Sequence, residues 1–197
     1  PQKEYSALSI HASTSDIKIP MDFHFQSMDM IARTGDIKNY ASASEAINIK
    51  TNTGDILLEN ISAKTINLSV STGYVDIVSA SCEETLDIKV TTGDTKISDV
   101  SCKSLHSNGT TGDIALLNLT AEESISIERD TGDVKFYECD AGEIFVKTST
   151  GDVTGSLLSE KTFVTDSNTG KITVPKNTVG GKCEIFTDTG DIKINIK

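Results

Sequence analysis

The sequence predicts a single all-β domain over residues 1–197, built as a single-stranded parallel β-helix (a β-solenoid) of about ten coils of 19–20 residues. Three observations predict it. A Thr-Gly-Asp turn signal returns with a nearly constant period, apolar residues alternate on both sides of each signal, and a small apolar residue recurs at a fixed distance beyond it.

The turn glycines are Gly35, Gly54, Gly73, Gly93, Gly112, Gly132, Gly151, Gly170 and Gly190, separated by 19, 19, 20, 19, 20, 19, 19 and 20 residues. A degenerate copy, Thr14-Ser15-Asp16, lies 20 residues before Gly35. In all ten copies a Thr precedes the turn position, from Thr14 to Thr189. A short repeat of this kind cannot bury its apolar face alone and is stable only when stacked on its neighbours.

Apolar pairs stand seven and five residues before each glycine, as in Ile47 with Ile49, Leu86 with Ile88 and Ile125 with Ile127. Further pairs stand two and four residues after it, as in Ile56 with Leu58 and Val134 with Phe136. Alternation with period two marks half-buried strands. Two strands are thus joined through each Thr-Gly-Asp corner, where glycine supplies a positive φ that a β-branched residue resists. A last pair, seven and nine residues after the glycine, ends in a small residue such as Ala63, Cys82, Cys102 or Ala121, which suits a tight corner.

A β-propeller needs about 40 residues per blade, twice this period. The signature of leucine-rich repeats and the six-residue pattern of left-handed helices are both missing. Parallel crossovers are right-handed by strong preference, so a right-handed coil is expected. Consecutive copies are expected to stack in chain order, about 4.8 Å apart. Residues 20–33 carry bulky apolar groups expected to cover the first rung, and Phe145, Val164 and Phe186 fall at outward positions. The final strand, Ile192 to Ile196, shows no cap.

Composition fits a thin, long core: 37% of residues are hydrophobic, 5% are aromatic, and Trp is absent. The formal charge of −11 argues against nucleic-acid partners, which need a basic stripe. It argues equally against anionic membrane surfaces, and no segment approaches the roughly 20 apolar residues of a membrane span. The start at Pro1 and the end within the pattern at Asn195-Ile196-Lys197 suggest a mature or trimmed chain from which a signal or anchor has been removed.

Copies such as Thr53-Gly54-Asp55-Ile56 and Thr150-Gly151-Asp152-Val153 make the whole chain resemble the bacterial adhesin-type β-strand-repeat family, a domain of unknown function. That resemblance implies a β-helical, secreted or envelope-associated bacterial protein without a defined catalytic set. Ser15 departs from the Gly of the pattern, and Tyr74 and Lys171 depart from its Asp.

The residues with most chemical promise are the turn carboxylates: Asp16, Asp36, Asp55, Asp94, Asp113, Asp133, Asp152 and Asp191 stack along one edge. Like charges at that spacing repel by roughly 1 kcal/mol per pair in water. Either the carboxylates accept backbone N–H bonds within their turns, or Ca²⁺ sits between them, with Asp94, Asp113, Asp133 and Asp152 as candidate ligands. Beyond this Ca²⁺, no cofactor is expected. Thr51-Asn52-Thr53, Thr148-Ser149-Thr150 and Thr187-Asp188-Thr189 form Thr-x-Thr arrays, whose hydroxyls are expected to bond backbone along the corner rather than order ice. Cys82 and Cys102 occupy the same small slot in successive copies, close enough for a disulfide, but Ala at that slot elsewhere favours four buried free thiols, with Cys139 and Cys183. His11, His24 and His106 are scattered and match no metal or triad arrangement.

The sequence is therefore expected to encode a noncatalytic extracellular or cell-envelope module that binds a protein or glycan at the cell surface. Two alternatives remain: a structural scaffold that associates end to end, and a β-helical polysaccharide-degrading enzyme. The near-constant copy length leaves no long loops to build a cleft for an enzyme. Its one local acid/base cluster, Arg129-Asp130 beside Asp133, is read as a surface ion pair.

Overall fold

The computed structural model describes residues 4–176 and 179–197, and among these every regular element is a strand. In chain order they are β1 (Glu4–Ala12), β2 (Ile17–Ile19), β3 (His24–Thr34), β4 (Ile37–Asn39), β5 (Ser42–Thr53), β6 (Ile56–Ala63), β7 (Thr65–Thr72), β8 (Val75–Thr92), β9 (Thr95–Thr111), β10 (Ile114–Thr131), β11 (Val134–Thr150), β12 (Val153–Leu157), β13 (Lys161–Thr169), β14 (Ile172–Thr173), β15 (Gly181–Thr189) and β16 (Ile192–Ile196). Every pairing is parallel, and the rungs wind into a β-solenoid of about nine turns. Ten copies of the turn bound nine full intervals, so the count of coils is one lower than the motif suggests.

The inward columns follow the apolar pattern. Ile47, Ile66, Leu86, Leu105, Ile125 and Ile144 pair in succession and are all buried. Each such side chain contributes about 1.5–3 kcal/mol on leaving water. The column three residues before the glycine is also inward: Val70 and Val90 are buried, and so are Thr51, Thr148 and Thr187. The Thr hydroxyls donate to turn carbonyls, Thr51 to Gly35 at 3.3 Å and Thr187 to Gly151 at 3.2 Å, which satisfies them inside the core.

Each rung turns at three corners. The first is Thr-Gly-Asp, where Gly35, Gly54 and all their equivalents except Gly170 have φ between 134° and 152°. The second lies six residues later, at Asn60, Ser79, Asp99, Asn118 and Glu138, all with φ between 50° and 56°. Asn and Asp tolerate this left-handed geometry better than other side chains. The third corner takes up the extra residue of the longer copies as a register shift, between Cys82 and Thr85 and between Ala121 and Ser124.

Two expectations are corrected. Residues 24–33 do not cover the first rung; they belong to β3, which pairs with β1 as the second rung and buries Phe25, Met28 and Met30 in its interior. Met21 and Phe23 stay exposed before β3, with the Phe23 ring 6.0 Å from those of Tyr5 and Phe25. The other correction concerns stacking order: β15 and β16, last in sequence, insert between the rung of β11–β12 and the rung of β13–β14. Gly151 N donates to Thr189 O at 2.9 Å, and Gly190 N donates to Thr169 O at 3.1 Å.

Local chemistry explains the exchange. After β12 the chain is pinned at its corner by Lys161, whose Nζ donates to Asp140 Oδ1 at 2.8 Å and to Ser159 Oγ. The chain then runs into β13, which lies two rungs from β11 with β15 between them. The returning strand enters through Gly180-Gly181. A Cβ at Gly181 would overlap the Gly142 carbonyl, and one at Gly180 would overlap that of Glu160. Only residues without side chains fit that entry.

The exchange has a direct test. Cysteines at Lys147→Cys and Phe186→Cys, whose side chains point outward from adjacent rungs, should form a disulfide under mild oxidation. The pair Lys147→Cys with Asp166→Cys spans two rungs, about 9.6 Å, beyond disulfide reach, and should not. Cross-linking between positions 147 and 166 contradicts the exchanged order.

Candidate functional site

The turn carboxylates form a continuous edge, but their bonds run between rungs rather than within turns. Asp36 N donates to Asp16 Oδ1 at 2.9 Å, Asp55 N to Asp36 Oδ1 at 2.9 Å, and Asp113 N to Asp94 Oδ1 at 2.8 Å. Asp133 N donates to Asp113 Oδ1 at 2.8 Å, Asp152 N to Asp133 Oδ1 at 3.0 Å, and Asp191 N to Asp152 Oδ1 at 2.7 Å. Each carboxylate thus satisfies a turn N–H that the ladder leaves free, which offsets the repulsion along the column.

The second oxygens are engaged at the middle of the edge. Asp94 Oδ2 accepts the Tyr74 hydroxyl at 2.8 Å, and this bond to a carboxylate raises the Tyr74 pKa. Lys135 Nζ lies 3.2 Å from Asp133 Oδ2 and 4.0 Å from Asp113 Oδ2, so an ammonium occupies the gap where a cation was expected. The N–H of Asp152 and the Lys135 ammonium hold Asp133 below the usual carboxylate range, against the opposing push of burial. Among the described residues, no three His, Cys, Asp or Glu side chains converge as ligands for a metal ion.

Two charged groups lie inside the rod. Arg129 is 4% exposed because its column faces inward, which overturns its reading as a surface ion pair. Its guanidinium fills the space beside Gly109 where a side chain would stand, and Nη2 donates to Ser107 Oγ at 3.1 Å and Thr95 Oγ1 at 3.4 Å. Thr95, Ser107 and Gly109 replace aliphatic residues of their columns to make this polar cell. Burial lowers the Arg129 pKa, and its Nε is buried without a partner. Asp133 stands apart on the turn edge, so the proposed acid/base cluster does not assemble. Lys161 is the second buried cation, 2% exposed, and it is paired with Asp140. Burial pushes Asp140 upward, but the bonds from Lys161 and Ser159 outweigh it and leave the carboxyl below its ordinary value.

The cysteines are four buried free thiols. Cys82 pairs directly with Cys102 across adjacent rungs, and burial pushes the Cys102 and Cys183 thiols up to about 12.

On the side of the rod, outward residues of β3, β5, β7, β8 and β9 line an open groove of about 300 Å³. One column runs Asp29, Asn48, Asn67, Asp87, and the next runs Ile31, Lys50, Ser69, Lys89, Asn108. Asn67 Nδ2 donates to Asn48 Oδ1 at 2.8 Å, which fixes both amides in file. Asp29 and Asp87 balance Lys50 and Lys89, so the groove lining is neutral on a chain of charge −11. In the sequence the groove corresponds to the residues six and four positions before Gly35, Gly54, Gly73 and Gly93, which are all polar except Ile31.

A side groove and a carboxylate edge on a parallel solenoid do not by themselves name a lineage. The Toastrack DUF4097 family model matches residues 1–195. The chain belongs to the Toastrack DUF4097 family. That domain is one of unknown function. No curated protein and no solved structure matches the chain.

In this Toastrack rod the edge carboxylates act first as structural acceptors, and acid titration reads that role. Asp133 on the edge, and Asp140 beside Lys161 away from it, have folded-state pKa values below the unfolded value of about 3.9. On acidification the unfolded chain binds their protons first, so their contribution is present above that pH and lost as pH falls through the folded values. Thermal melts from pH 6 to pH 2 should fall on the acid limb, and Asp133→Asn should flatten that fall. An unchanged slope in the variant contradicts the assignment.

Proposed function

We propose that the chain is a noncatalytic binding module of the adhesin type, secreted or held at the cell envelope, and that its side groove takes a neutral linear glycan. The observation that carries the reading is the charge-balanced groove, crossing successive rungs of a strongly acidic rod. A polyanion meets the long-range field of a chain at −11, whereas a neutral hydroxyl-rich polymer does not. Amide, ammonium, carboxylate and hydroxyl tips stand along the two columns beside the apolar Ile31, Ile49, Leu68 and Ile88, offering donors and acceptors next to apolar surface. The Asn48–Asn67 bond holds part of this array in place before a ligand arrives, which limits the ordering cost of binding.

Calorimetry with neutral oligosaccharides of increasing length, chosen from a glycan array, tests the proposal. Affinity should rise until the oligomer spans the groove. Asn48→Ala with Asn67→Ala should weaken binding about tenfold, or about 1.4 kcal/mol. Equal binding by the variant removes the groove from the account, and release of shortened sugars makes the chain an enzyme instead.

A further inference from the structure

Among the described residues β1 pairs only with β3, and β13 only with β15, so each end of the stack presents a strand edge. Such edges are templates for further strands. With a repeat this regular, a second copy of the chain offers matching rungs, so something must prevent continuation.

The turn shows what continuation requires. In spatial order, each turn glycine would place a Cβ under 3.0 Å from the turn carbonyl one rung before it: Gly35 against Ser15, Gly112 against Gly93, Gly190 against Gly151, and Gly170 against Gly190. An arriving rung must therefore present a residue without a side chain. At eight of the nine junctions the receiving rung also presents a carboxylate for the arriving N–H, as Asp152 does for Asp191 at 2.7 Å and Asp191 does for Lys171 at 2.8 Å.

The first rung breaks the first requirement and the last rung breaks the second. Ser15 is the one turn position of ten with a side chain, and it lies on the outermost rung at one end. It also lacks the positive φ of Gly35 and most of its successors. Lys171 stands in place of the carboxylate on the outermost rung at the other end, where its ammonium cannot accept an N–H. The exception is Tyr74 in mid-stack, which offers the Asp94 N–H no carboxylate and instead ties the two rungs by donating its hydroxyl to Asp94 Oδ2 at 2.8 Å.

We propose that Ser15 and Lys171 are chain terminators of the stack, which keep a second copy, or any regular rung of the same kind, from joining either end. This goes beyond the binding role, and it leaves the rods single with their side faces free.

Every head-to-tail junction brings one Ser15 against one Lys171, which gives the test a logic of its own. Light scattering and negative-stain microscopy are read over a range of protein concentrations. The wild type and each single variant, Ser15→Gly and Lys171→Asp, should keep one mass, because every junction still holds one terminator. The double variant should lengthen into rods of unchanged width. An equimolar mixture of the two single variants should stop at dimers, since the one permitted junction leaves a terminator at each outer end. End-to-end growth of the wild type overturns the proposal. So does a folded double variant that stays single, or a mixture of folded single variants that forms no dimer.

Discussion

Everything in this rod depends on how one turn sits on the next. At each Thr-Gly-Asp corner the glycine lies so close to the neighbouring carbonyl that a methyl group does not fit, and at all but the Tyr74 junction the adjoining N–H reaches the neighbouring carboxylate. The first contact sets the rung spacing at its tightest point. The second satisfies a polar group that a bent corner would otherwise leave unpaired. Together they fix every rung over its neighbour, and the aliphatic columns then fall into line without further instruction.

This constraint divides the labour among the residues. Inward positions are free to vary among Ile, Leu, Val and Met, and in one place the core accepts a guanidinium by giving up three aliphatic neighbours. Outward positions carry no structural duty beyond strand formation. The side groove with its Asn48–Asn67 pair is built on such outward positions, which the stack leaves open to side chains of many kinds. The turn edge is different: one oxygen of each ladder carboxylate is committed to the stack.

Much of this was legible in the residues. The glycine period gave the architecture, and the alternation of Ile47 with Ile49 and Ile56 with Leu58 gave the core. The Ala and Cys at one slot gave the tight corner and the buried thiols. What escaped was information that the repeat does not carry. The exchange of the last rungs rests on one lysine pin, Lys161 on Asp140, and on a glycine pair that marks a close approach, and neither feature recurs. Arg129 was read by its charge rather than by its column, and the column decides where a side chain points. The left-handed corner was announced by Asn60, Asp99 and Asn118, but Ser79 and Glu138 break that signal. The groove was missed because no single residue in it is unusual; only the register brings the columns together.

The most direct measurement is the stability of Gly112→Ala, at a mid-stack turn with φ of 134° and the Gly93 carbonyl against the missing Cβ. Strain of this kind should cost about 3 kcal/mol in chemical denaturation, with the midpoint falling and the slope unchanged. A variant as stable as the parent would show that the turns are not in contact, and the account of the stack would fail with them.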